Sequence, residues 1–274
     1  MADRGGTHAR RPVSQPSRCV FIVEAWMTVN SYDPIARVYD VLWGPVSVTR
    51  YLPAIADWLS HAIAPGARVL DVACGAGQVV AAMIERGYRA AGIDAAPAMI
   101  DIARRRAPTA ELSVAQFGLL PFADSEFAAT LCLFDSLNHV APDQLATVIS
   151  DLARVIAPGG LLVFDVNTED GFRQRWRGDS VEVRDDLVCI TRARYNTEYQ
   201  IGDYLITAFE PTNSGQWSRA DAHLREYVHP DAAIRAALAA AHMIDVDTLA
   251  SDVDLGFTRD VGRVFYRARK DAGP

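Results

Sequence analysis

Cysteine is scarce and scattered: Cys19, Cys74, Cys132 and Cys189 are the four in 274 residues. They have neither the paired spacing of a zinc site nor the density of a disulfide framework, so no metal is expected and the thiols read as reduced and cytoplasmic. An excess of basic charge is missing too. The 27 Lys and Arg against 34 Asp and Glu leave −7, the wrong sign for capturing phosphate backbones by counterion release, which disfavours nucleic acid. No apolar run is long enough to span a bilayer. The nearest imitation of a signal peptide, residues 19–27 after Arg4, Arg10, Arg11 and Arg18, is short, broken by Glu24 and followed by no small-residue cleavage site. Residues 1–28 read as a disordered tail, because Gly, Pro, Ser and Arg cannot pack a core. A lid is the competing role of this tail, and Met27 stands close enough to the first helical pattern to be an alternative start.

What the chain does have is a 50% hydrophobic composition, enough for the full core of one domain over 29–270. Short aliphatic runs at 68–72, 90–94, 111–115, 128–134 and 160–166 alternate with helical patterns at 78–86, 98–106 and 144–157. That order implies parallel strands with right-handed crossovers, an α/β doubly wound Rossmann-like sheet whose ligand crevice lies at the strands' C-terminal ends. Pro158-Gly159-Gly160 reads as a helix-to-strand turn. After Asn167 the rhythm changes to strands at 181–190, 192–199, 204–209 and 222–228, an antiparallel β meander inserted over 168–229 and placed over the crevice. A helix at 231–241 and strands near 245–250 and 261–269 complete the pattern.

The segment 69–77 reads VLDVACGAG, a hydrophobic strand running into a loop of small residues and then a helix. In this loop, which opens with Ala73 and Cys74, Gly75 and Gly77 let a cofactor approach the backbone, since glycine has no Cβ to block it or to forbid positive φ. Nucleotide-binding loops begin the same way. Here Val80 replaces their third glycine, and Asp71 ends the strand. An acid at that point repels a pyrophosphate but supports the ammonium end of an amino-acid cofactor, which favours S-adenosylmethionine over NAD. About twenty residues on, Gly92-Ile93-Asp94 closes the next strand with an acid able to accept both ribose hydroxyls. Ala95 follows, and Met99 is placed to lie against adenine.

With these residues the chain resembles class I S-adenosylmethionine-dependent methyltransferases over roughly 32–270. The resemblance extends to 154–164, with its Pro158-Gly159-Gly160 turn. It includes LCLFDSLNH at 131–139, the segment such enzymes use to hold the methionine part and face the acceptor, which assigns Phe134 to the cofactor. Tyr32-Asp33 through Tyr39-Asp40, then Arg50-Tyr51, resembles the N-terminal helices that fold over the cofactor in small-molecule methyltransferases, the sugar amino-methyltransferases and the glycine and sarcosine group among them. That implies contacts from Tyr39 and Arg50. Two departures stand out. Ala73 replaces the commoner glycine, modestly restricting the backbone. Gln116, beside Phe117, stands where many relatives place an acid for the adenine amino group, and its side-chain oxygen can still accept that bond.

His139, just past the fourth strand, is the candidate base for an acceptor proton, against the alternative of a packed, satisfied histidine. Tyr195, Tyr199, His223, Arg225, Tyr227 and His229 are candidates for the acceptor pocket, although alternation sends half of them outward. The expected reaction is methyl transfer to a nitrogen or oxygen of a small molecule, with S-adenosyl-L-homocysteine as product, by a monomer or homodimer without nucleic-acid or membrane partners. A methyltransferase of proteins or RNA, and a non-catalytic cofactor-binding protein, are the alternatives.

Overall fold

The computed structural model describes residues 31–273; the expectations about residues 1–28, Met27 and Cys19 lie outside them. A 3-10 turn at Asp33–Ile35 leads into α1 (Ala36–Leu42) and α2 (Gly44–Ala62). The alternating part follows as β1 (Arg68–Val72), α3 (Gln78–Glu85), β2 (Arg89–Asp94), α4 (Pro97–Arg106), β3 (Glu111–Val114), β4 (Phe127–Cys132), α5 (Leu145–Arg154) and β5 (Ile156–Asn167). Then come α6 (Glu169–Arg175), β6 (Gly178–Arg184), β7 (Leu187–Asn196), β8 (Ile201–Pro211), β9 (Trp217–Tyr227), α7 (Asp231–Ala240), β10 (Met243–Ala250) and β11 (Arg263–Lys270).

Seven strands form one sheet in the order β10-β11-β5-β4-β1-β2-β3, and β6 to β9 form a second, four-stranded antiparallel sheet. β1 pairs in parallel with both β2 and β4. The chain therefore reverses its direction of travel across the sheet between β1 and β4, and their C-terminal ends open a crevice there. One face of the large sheet packs Leu70, Phe164 and Tyr266 against α5 and α7, and the other packs Val69, Val163 and Phe265 against α2 and α3. In α5 the stripe Leu145, Val148, Ile149 and Leu152 supplies the buried side of an amphipathic helix. Among the described residues no helix is long and apolar enough to cross a membrane.

Three boundaries differ from the sequence expectation. The strand expected over 128–134 stops at Cys132, because Phe134 and Asp135 take left-handed φ of 61° and 54°. The helix expected to 157 ends at Arg154, and β5 begins at Ile156 with a register shift against β4 that takes up Pro158-Gly159-Gly160. The single strand expected over 181–190 is two, β6 and β7, joined through Asp185-Asp186. Apolar residues continue on both sides of that short turn and mask it. The helix α6 went unread, although acids in its first turn and arginines in its last complement the helix dipole.

The smaller sheet turns Leu187, Cys189, Ile206, Ala208, Ala222 and Leu224 inward onto Ile35 and Val38. Ala36, next to them in sequence, packs on Ala76, Ala96 and Met99. The first helix is thus wedged between the two sheets, with one face on the meander and the other on the loop after β1 and on α4.

Candidate active site

A cavity of about 750 Å³ lies at the C-terminal ends of β1, β2 and β4 beneath that helix. One end is made largely of backbone. In the loop after β1, Ala73, Gly75 and Gly77 have φ of 58°, 53° and 79°. Gly75 N–H donates to Asp94 Oδ2 at 2.9 Å, and Ala96 N–H donates to Asp94 Oδ1 at 2.8 Å. Asp94 thereby fixes two turns at once, and each of its oxygens keeps a lone pair for a ligand hydroxyl. Burial raises its pKa, and burial together with the nearby Asp94 charge lifts that of Asp71 well above the ordinary carboxylate range. Two buried acids at this end suit a cationic ligand.

Ten of the predicted residues line the cavity: Tyr39, Ala73, Gly75, Asp94, Ala95, Met99, Gln116, Phe117, Phe134 and His139. A Cβ on Gly75 would meet the Tyr39 ring at 3.4 Å, so this glycine leaves the gap between loop and first helix. Four residues are placed elsewhere. Gly77 serves packing, since a Cβ there would sit 2.8 Å from that of Ala103 on α4. The Cys74 side chain joins the core around Val80 and Ile100, where burial pushes its thiol pKa well up. Asp71, 4% exposed, lies behind the cavity wall. Arg50 is outside altogether: α2 carries it to the Phe257 ring, 5.3 Å from its centre, rather than to the cofactor loop.

The other end is made of side chains. Phe134 and Asp135, a consecutive left-handed pair, point their N–H groups at Asp165, whose oxygens accept them at 2.6 and 3.0 Å. Such a conformation costs about 1–3 kcal/mol per residue and persists where surroundings over-determine it. Arg263 bridges Asp165 and Asp135, the latter at 2.8 Å. Arg175 pairs with Asp260 at 3.1 Å and also donates to Asn167 Oδ1. Asn138, fully buried, accepts from Asn167 N–H at 2.8 Å and donates to the carbonyls of Asn167 and Tyr227 at 3.0 and 2.8 Å. It stitches the last turns of β5 and β9 together below the cavity.

His139 is held at both nitrogens. Nδ1 lies 2.9 Å from the Arg225 carbonyl and Nε2 lies 3.0 Å from the Tyr32 hydroxyl. A carbonyl only accepts, so Nδ1 carries the proton and Nε2 accepts from Tyr32. Burial lowers the His139 pKa, which keeps the ring neutral. The Tyr32 ring meets Tyr39 edge-on at 5.8 Å, and Tyr39 meets Trp43 at 6.2 Å. These aromatic faces border the middle of the cavity.

The meander candidates do not reach the cavity. Tyr199 is 65% exposed, Tyr195 stacks on Phe172, His223 and Arg225 pair with Asp203 on the outer face, and His229 is bonded to the Leu137 carbonyl. Tyr204, Leu224 and Glu226 line it instead. Period-two alternation gave the right strand and the wrong phase: Glu226 points inward between Arg225 and Tyr227. Arg175, Arg263 and Trp43 are further lining residues that sequence reasoning missed. Only Trp43 carried a signal, its helical spacing from Tyr39.

Residues 69–160 match a family described as a methyltransferase domain. A ubiquinone biosynthesis O-methyltransferase of Alkalilimnicola ehrlichii is 39% identical over 36% of this chain and 41% of its own length. The chain spans about half the length of the curated relatives it matches. Among solved structures, an S-adenosylmethionine-dependent methyltransferase from Clostridium acetobutylicum aligns with a TM-score of 0.74 at 17% identity, covering 88% of this chain and 99% of that one. The sugar N-methyltransferase KedS8 from Streptoalloteichus aligns with a TM-score of 0.69 at 21% identity, covering 97% and 100%. The described chain therefore has the fold of S-adenosylmethionine-dependent methyltransferases. Within it, residues 69–160 are the part that matches the methyltransferase-domain family.

Proposed function

We propose that the protein transfers a methyl group from S-adenosylmethionine to a nitrogen or oxygen of a small molecule, such as a sugar or natural-product intermediate, in the cytosol. One observation carries the reading: a single cavity joins the Asp94-pinned loop to the carboxyl-rich end around Asp135. Its 750 Å³ falls in the upper part of the roughly 300–1,000 Å³ range of small-molecule sites, which leaves space for an acceptor beside the cofactor. The residues present fit the cofactor. Gly75 leaves its backbone open, Asp94 faces the ribose position, Met99 and Phe117 border the adenine position, and the buried acids balance positive charge.

The bound cofactor supplies an electrophilic methyl on a sulfonium. The protein's own task is alignment, which can contribute roughly 7–11 kcal/mol in favourable cases. Tyr32, Tyr39 and Trp43 line the cavity, where aromatic rings can attract a cation by their quadrupoles. The first helix and the meander cover part of the site from above. That cover, together with the net negative charge, favours a small acceptor over a protein or RNA segment, which would need an open groove with a basic rim. The hydroxyl of Tyr32, ordered by His139 Nε2, orients the acceptor.

Calorimetry with S-adenosylmethionine and S-adenosylhomocysteine tests the cofactor site, and absence of binding would end the reading. A mass-spectrometric screen of amino and hydroxy compounds for the gain of one CH₂ tests the reaction. A modified protein or RNA with no modified small molecule would favour the macromolecular alternative.

A further inference from the structure

Glu226 enters the cavity from β9, and the alignment described above leaves it without a task. Its side chain is 6% exposed. Oε2 accepts from Asn167 Nδ2 at 3.3 Å, while Oε1 lies 3.9 Å from His139 Nε2. Among the described residues no hydrogen-bond donor serves Oε1. Asn167 Nδ2 also donates to Asp135 Oδ2, so one amide group holds two carboxyls next to each other. The arginines nearby are committed elsewhere, Arg263 to Asp135 and Asp165 and Arg175 to Asp260 and Asn167. Glu226 lines the cavity, so the free lone pairs of Oε1 are open to a donor on a ligand there.

We infer that Glu226 receives the acceptor's proton and, with Asp135, selects an acceptor nitrogen that arrives as an ammonium ion. This rests on the methyltransferase reading. The ammonium N–H donates to Glu226 Oε1 and passes its proton to that carboxylate. The freed nitrogen lone pair then forms the C–N bond as the C–S bond of S-adenosylmethionine breaks, with the C–S electron pair staying on sulfur. Positive charge thus moves from sulfur to nitrogen; Glu226 is neutral once it holds the proton, and the Asp135 carboxylate stands where the charge arrives.

His139 is poorly suited to the same role, because its Nε2 lone pair is taken by Tyr32. Burial acts on the two groups in opposite directions: it weakens His139 as a base and, reinforced by the Asp135 charge, strengthens Glu226. An acceptor carboxylate would be repelled by the same pair.

The test needs no knowledge of the acceptor. Sinefungin carries an amine-bearing carbon where S-adenosylmethionine carries its methylated sulfur, so its ammonium projects toward the acceptor position. Calorimetry on the full chain should show sinefungin binding about tenfold tighter than S-adenosylhomocysteine, the scale of a charge-assisted hydrogen bond. Glu226→Gln should abolish that preference and leave S-adenosylhomocysteine affinity within about twofold, and Glu226→Asp should restore part of it. Equal wild-type affinity for the two ligands overturns the inference without any variant. So does a Glu226→Gln protein that weakens both equally, which marks a structural role. Failure of S-adenosylhomocysteine to bind the wild type would instead overturn the methyltransferase reading itself.

Discussion

The two ends of the cavity are held together by different physics. At the cofactor end the loop 73–77 turns through three left-handed residues and is pinned by one carboxylate, Asp94, nineteen residues from Gly75. Among the described residues no salt bridge forms to its buried acids, Asp71 and Asp94. At the acceptor end Arg263 stands among Asp135, Asp165 and Asp260, and its bonds join segments 98 and 128 residues apart. The first end carries acidic groups whose charge a ligand can balance. The second is compensated internally, except at Glu226. Damage to the first should therefore appear chiefly as lost affinity, and damage to the second as lost stability.

Arg263→Ala should break this contrast most visibly. It strands two buried carboxylates and releases the left-handed pair at Phe134 and Asp135, and uncovering a buried ion partner costs about 3–5 kcal/mol. Urea denaturation measures this; an unchanged midpoint would show that the acceptor end is not held by its charges. Asp94→Ala should come next. It removes the ribose acceptor together with the anchors of Gly75 and Ala96, so S-adenosylhomocysteine affinity should fall by about 1.5–3 kcal/mol, with a smaller loss of stability. A larger loss in denaturation than in calorimetry would put the anchoring role of Asp94 ahead of its ligand role.

The same contrast explains what could be read from the chain. Ala73, Gly75 and Asp94, which line the cavity, could be picked out because local order does the work: a strand must end, and a tight loop of small residues or a closing acid must follow. Arg263 was not, since an arginine at the start of a strand looks like any solvated charge until β11 pairs with β5 and brings it to Asp165. The four-stranded meander was legible as strands but not in phase. A missed two-residue turn at Asp185-Asp186 leaves the inward and outward faces unsettled, and Glu226 is lost between two more conspicuous neighbours. Arg50 shows the reverse error, in which likeness to an N-terminal helix was extended beyond the turn that faces the cavity. For Gly77 the glycine was identified correctly, but the close approach that requires it is to Ala103 and not to a ligand.

A smaller effect separates the titrating groups of the acceptor end. His139 has its pKa lowered from 6.5 by burial, so below about 6.5 the unfolded chain takes up protons that the folded chain refuses, and stability falls as pH drops. Asp165, raised to about 6, has the opposite sign: its contribution is present at low pH and is lost as pH rises through about 6. His139→Gln should remove only the first dependence. Relative to wild type, the variant should gain stability between pH 6.5 and 5.5 in urea titrations. A difference that stays flat would mean that the ring is not held neutral.

The smallest expected effect probes the strain at the cofactor end. Ala73 has φ of 58°, where its Cβ crowds the following carbonyl at about 1–2 kcal/mol. Glycine relieves this but loses more freedom on folding, roughly 0.5–1 kcal/mol. Ala73→Gly should therefore stabilise the protein by up to about 1 kcal/mol. Ligand contacts from the loop backbone remain, and Asp94 still fixes Gly75, so S-adenosylhomocysteine affinity should stay within about twofold, or roughly 0.4 kcal/mol. Thermal unfolding and calorimetry on the same preparation separate the two quantities. A variant that is less stable would show that the Ala73 methyl packs against the cavity wall more strongly than its backbone is strained. A variant that binds more tightly would show that the methyl had been narrowing the cofactor's path.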